Sequence, residues 1–197
     1  MHSRRSGDAG QAFPIYITVA AGLLFLALAY LAVGQAAVNR SGAQTAADAA
    51  VLAAAQKTRD QLADLWVHDV LDPAKWQDIF DGHGAGDSCA RAYQLAAQNS
   101  AQVEHCWHHT LSYDVAVRTN KKVGHSVVPG TEDFQSTASA RAVIEPLCEF
   151  KLPAAHAGHD KLPRLNCKDR QWDLKPEDLT ELPRPEDLFD VHLAADR

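Results

Sequence analysis

The chain has 197 residues, a formal net charge of −6, and a composition that is 46% hydrophobic but only 7% aromatic. That length accommodates one modest domain with an appendage and excludes two full-sized globular units. An acidic balance without clustered Lys and Arg excludes a nucleic-acid partner, because neutralising phosphates needs such clusters.

The charges are unevenly placed. Between Asp8 and Arg40 lie 31 consecutive uncharged residues, of which residues 15–33 are the most apolar, with weaker apolar character from 13 to 38. A helix of roughly 20 residues, rising about 1.5 Å per residue, covers the ~30 Å hydrocarbon core, so residues 13–38 are read as a transmembrane helix. A cleavable secretory signal carries a shorter apolar run, roughly 7–15 residues. Ala20, Ala21, Gly22, Ala27 and Ala29 are small enough for close helix packing in lipid. Arg4 and Arg5, in a leader of residues 1–12, place that leader in the cytoplasm by the positive-inside rule and the bulk of the chain outside.

The helical pattern continues through residues 39–72 as an amphipathic extension, loosened around residues 39–42, with Val51, Ala55, Leu62, Trp66 and Val70 on one face. It ends at Asp72-Pro73, after which a short helix runs to Phe80. A glycine-rich loop follows over residues 82–86, and Asp87 or Ser88 caps a helix to about Asn99.

From Val103 the period changes to two. Leu111, Tyr113, Val115 and Val117 alternate with polar residues. So do Phe134, Ala138, Ala140, Ala142 and Ile144, and the two runs are expected to pair antiparallel around a turn near residues 120–124. The head is assigned to residues 73–149. Residues 150–197 are rich in Pro and acid, with a repeated Pro-Glu-Asp-Leu at residues 176–179 and 185–188, and are expected to form a partly disordered tail.

Cys89, Cys106, Cys148 and Cys167 all lie beyond the anchor and form no Cys-x-x-Cys pair, which favours disulfides and an oxidising compartment. Three pairings are open, and proximity favours Cys89 with Cys106 and Cys148 with Cys167. The run His105-Cys106-Trp107-His108-His109 raises a metal reading. In an extended chain, however, His105 and His109 share one face and Cys106 and His108 the other, so a distant ligand such as His83 or His125 would be needed. Gly-x-Ser-x-Gly, a phosphate-cradling loop and His-Glu-x-x-His are all missing, and no catalytic residue, cofactor, metal or small-molecule substrate is indicated.

The most specific stretch is N-terminal: residues 4–14, the apolar span, then Gln44-Thr45-Ala46-Ala47-Asp48-Ala49-Ala50-Val51-Leu52-Ala53-Ala54-Ala55. It resembles the TadE/TadG-like family of Flp (tight-adherence) pilus-assembly proteins, whose motif is matched by Gln44, Ala46, Ala47, Asp48, Ala49 and Ala50 with Thr45 inserted. The resemblance implies a non-catalytic, pseudopilin or minor-pilin-like component of a pilus or secretion machine. Its implied partners are the bilayer and other pilin-like membrane proteins. It also implies a prepilin-peptidase site between Gly10 and Gln11, with Gly7 second. The fifth residue after either cut is Ile15 or Ala12 where cleaved Flp-type pilins carry Glu, so the uncut, anchored form is expected. The competing reading is a membrane-tethered binding or sensor domain, metal-responsive through the histidine cluster. The expected fold is α+β: one transmembrane helix continuing into an amphipathic helix, and a small extracytoplasmic head of helices on a short antiparallel sheet.

Overall fold

The computed structural model describes residues 12–122, 133–152, 162–168 and 170–195. It opens with α1 (Ala12–His68), one helix of 57 residues, about 85 Å long at 1.5 Å per residue. Continuity follows from the sequence. Pro14 lies in the first turn, where backbone N–H groups have no intrahelical partner. No proline follows until Pro73, and alanine, the best helix former, dominates the middle. The loosening expected at residues 39–42 is not found: the helix runs through them, and the Thr45 hydroxyl donates to the Ser41 carbonyl at 3.0 Å.

The helix closes at His68, four residues before the expected stop at residue 72, because the chain is pinned there. Lys75 Nζ donates to Asp69 Oδ1 at 2.9 Å and Trp76 Nε1 to the Asp69 carbonyl at 3.2 Å. The Lys75 ammonium holds the Asp69 carboxyl below its ordinary range, and Asp69 in turn raises Lys75. The contact therefore contributes between the two ordinary values. It fades as pH falls through the lowered carboxyl or rises through the raised ammonium.

A 3-10 turn over Pro73–Lys75 leads into α2 (Trp76–Phe80), and α3 spans Cys89–Gln98. Of the two candidate caps, Asp87 supplies the side-chain bond, accepting from the Cys89 amide at 2.8 Å.

Four strands, β1 (Ala101–His109), β2 (Ser112–Lys122), β3 (Gln135–Pro146) and β7 (Phe189–Leu193), form an antiparallel sheet in the order β1-β2-β3-β7. Three short strands, β4 (Cys148–Phe150), β5 (Leu165–Cys167) and β6 (Arg170–Trp172), form a second one. The expected antiparallel pairing of the two alternating runs is β2 with β3, where Val115 faces Ala140 and Val117 faces Ala138. The strand before them, β1, is not among the expected ones. In β1 the alternation is broken by a bulge between Val103 and His105, which shifts the phase by one. Phe134, assigned to the inward row, lies just before β3 and is exposed.

The C-terminal segment departs furthest from expectation. Residues 150–197, read as a partly disordered tail, supply β5, β6 and β7 together with α4 (Pro185–Leu188). The Arg184 amide donates to Asp187 Oδ2 at 2.8 Å, so the second Pro-Glu-Asp-Leu starts a helical turn. The first makes only a bridge between Lys175 and Asp178. Leu165, Leu188 and Phe189 are fully buried, and that apolar burial holds these described strands and α4 against the rest of the fold.

The core lies between the second half of α1 and the four-stranded sheet, with α3 alongside. Ala43, Ala46, Ala47, Ala50, Ala54 and Ala55 are fully buried, and such small side chains let the helix axis sit close to Tyr113, Val115 and Val117 of β2. At the far end the aromatic rings of Trp66, Trp76, Phe150, Phe80 and Phe189 form a continuous chain, each 5.3–5.8 Å from the next.

Candidate assembly surface

Phe13–Leu31 of α1 is a 19-residue window of mean hydropathy 2.0, none of it buried within the chain. Among the described residues it is the one helical stretch long and apolar enough to cross a membrane. Phe13, Leu24, Phe25 and Tyr30 all point away from the protein. An apolar surface this large on a soluble chain would be a liability, and it is accounted for when something apolar covers it.

The five small residues do not form one stripe. At about 100° per residue, Gly22 and Ala29 share one side while Ala20 and Ala27 lie nearly opposite, with Ala21 between. No side chain of the protein approaches within 4 Å of where a Cβ on Gly22 or Gly34 would stand. The small residues thus fall on two sides of the helix, and within the chain nothing packs on Gly22. Gly10 and Gln11 lie outside the described residues.

The motif at residues 44–50 has a different task. Ala46, Ala47 and Ala50 are buried against the head, Ala49 is half-buried, and Gln44 Nε2 donates to Asp48 Oδ1 at 2.8 Å on the solvent side. Its alanines join anchor to head by packing, and its polar pair supports the exposed face one helical turn apart.

A buried polar network, which sequence reasoning missed, fixes α1 against the head. Thr58 is fully buried. Its hydroxyl donates to Ser88 Oγ at 2.9 Å and lies 2.7 Å from the Tyr113 hydroxyl. Ser88 N–H donates to that Tyr113 oxygen at 3.0 Å, while Gln61 Nε2 donates to Ser88 Oγ at 3.1 Å and Gln61 Oε1 accepts from the Gly86 amide at 2.7 Å. The signal was present: Thr58 falls three residues after Ala55 and four before Leu62, on the buried stripe. Thr58→Val is expected to cost about 1–3 kcal/mol by leaving buried hydroxyls unpaired, and Thr58→Ser distinctly less. Denaturant unfolding of both variants measures the difference.

The cysteines are joined as Cys89 to Cys106 and Cys148 to Cys167, tying α3 to β1 and β4 to β5. The histidine cluster does not converge. The register places His105, Trp107 and His109 on the outer face of β1, while Cys106, in its disulfide, and His108, stacked on Tyr113 at 4.9 Å, point the other way. His83 is a loop residue before α3, and His125 lies outside the described residues. The metal-type grouping among the described residues is elsewhere: Glu145, Asp190 and His192, all exposed, bring ligand atoms within 4.8 Å. Trp66 and Trp76 are core residues, and Trp172 packs under Arg170 at 4.5 Å. A shallow cleft of about 540 Å³ runs between α1 and α3, with Leu52, Ala53 and Leu95 in its wall and Lys57, Asp60 and Arg91 at its edge.

Comparison with known proteins agrees with the resemblance seen in the N-terminal residues. Residues 10–57 match the family model described as putative Flp pilus-assembly, TadE/G-like. No curated protein and no solved structure matches the chain. The matched segment coincides with the apolar part of α1 and the alanine motif, and stops one residue before Thr58.

Proposed function

We propose that this chain is a membrane-anchored, non-catalytic, minor-pilin-like accessory component of a Flp/Tad-type pilus or secretion assembly. The observation that carries the proposal is that the family match runs, through residue 57, along one unbroken helix: uncovered and apolar over Phe13–Leu31, alanine-packed into a folded head from Ala43 onward. Such a helix anchors in lipid and leaves small-residue faces free for lateral packing, which is the geometry of an assembly subunit. The leader is cytoplasmic and uncut in this reading, and the head lies outside, where its two disulfides persist. In this reading residues 13–38 cross the bilayer, 39–72 carry the head, and 73–149 together with the described residues of 150–197 form it. The metal-responsive alternative gains nothing from the histidine cluster, whose side chains are split between the two faces of β1.

The test is photo-crosslinking in cells from a reactive residue placed at Ala27. The expected neighbours are pilus-machine membrane proteins. Capture of abundant unrelated membrane proteins alone would overturn the reading. Mass spectrometry of the extracted chain is expected to find an intact leader; a new terminus at Gln11 would show processing.

A further inference from the structure

We infer that the outer face of the four-stranded sheet binds an uncharged glycan chain, with Trp107 as its platform. This adds to the proposed role and rests on it only in needing the head to face the cell envelope. Trp107 is 52% exposed, unusual for the largest side chain, and its ring is stacked on His105 with centroids 5.0 Å apart and planes at 20°. The stack fixes the plane of the indole and covers one of its faces, leaving the other for a ligand.

Directly across β2 from Trp107 is Asp114, and directly across β3 from Asp114 is Arg141. Two strand spacings put about 10 Å of sheet under this row. Arg141 donates to Asp114 Oδ2 at 2.8 Å, and His109 Nε2 lies 3.1 Å from the same oxygen. The acid and the guanidinium are thus oriented before any ligand arrives. The next row, His105, Ala116 and Ser139, carries small side chains beyond its ring and leaves the surface level.

Each feature selects the occupant. Carboxylate and guanidinium cancel, so an anion meets Asp114, a cation meets Arg141, and a neutral ligand meets neither penalty. A pyranose ring presents C–H groups to an aromatic face, whose quadrupole is negative, and hydroxyls at its rim that both donate and accept. Asp114, beside the ring, can accept from such a rim, and Arg141, one strand further, can donate to it. A protein partner would want a broad apolar area around the tryptophan, whereas the facing positions of β2 and β3 are Ser112, Asp114, Ala116, Ser139 and Arg141, with alanine the one apolar side chain among them. A flat open face suits an extended polymer.

The test uses the full-length chain in detergent with both disulfides intact. It is mixed with insoluble chitin, cellulose and mannan, all uncharged, with co-sedimentation and tryptophan fluorescence as readouts. Retention on at least one glycan is expected, competed by its soluble oligosaccharide and unaffected by raised salt. Trp107→Ala should weaken it about tenfold or more, as for a central aromatic contact, and Asp114→Asn should also weaken it. Both side chains reach solvent, so the variants should melt as the parent does. Retention on none of the three materials, loss in raised salt, or Trp107→Ala binding like the parent would overturn the inference. The crosslinking result above stands or falls separately.

Discussion

A Phe189→Ala variant is expected to lose about 3–5 kcal/mol of folding stability, the range for removing a large aromatic ring from a packed core. Phe189 is fully buried, its ring is 5.3 Å from Phe80, and it opens the strand that completes the sheet against Pro146 of β3. Phe80 in turn meets Phe150, and Phe150 meets Trp76, so a cavity at Phe189 loosens contacts reaching back to α1. Denaturant unfolding of the solubilised chain provides the measurement. A change below about 0.5 kcal/mol, the range of a surface substitution, would show that the C-terminal segment is peripheral to the fold.

The second large effect concerns the membrane. Replacing both Leu23 and Leu26 with Arg is expected to abolish stable insertion, since each Arg near the centre of a spanning helix costs about 3 kcal/mol relative to leucine. Both leucines are exposed within the uncovered window, so neither substitution disturbs the head's packing. The parent chain should resist alkaline carbonate extraction, and the double variant should be released. A head that no longer crosses the bilayer stays in a reducing compartment, so its four cysteines should become alkylatable in the variant and remain protected in the parent. Release of the parent by carbonate would remove α1 from the bilayer, and equal resistance of both chains would show that this window is not what holds the protein there.

Legibility in the sequence followed local periodicity. The apolar run of α1 and the buried stripe of Val51, Ala55, Leu62, Trp66 and Val70 could be read because each repeats with the helix period over several turns. The pairing of β2 with β3 could be read because both strands alternate cleanly. β1 could not, because the residue inserted at Glu104 reverses which side its neighbours face, and because His105, Trp107 and His109 look like chemistry before they look like a strand. β7 was hidden for another reason. Five residues after a proline-rich acidic run carry little pattern of their own, and Phe189 acquires its place only from the aromatic rings of α2 and β4, distant in sequence. The surface proposed for glycan binding was illegible for the same reason: Trp107, Asp114 and Arg141 fall into one row only once the register is fixed.

The unbroken course of α1 makes the protein behave as a crank. No break in the helix separates Leu31 from Ala43, so in the proposed anchored arrangement the heading of the sheet about the membrane normal is set by the azimuth of the apolar part of α1. Splicing one residue into this shaft would swing the head by about 100° and lift it by about 1.5 Å, whereas a seven-residue splice would nearly restore the bearing and lift it by about 10 Å. Orientation and standoff are therefore separately adjustable by length alone.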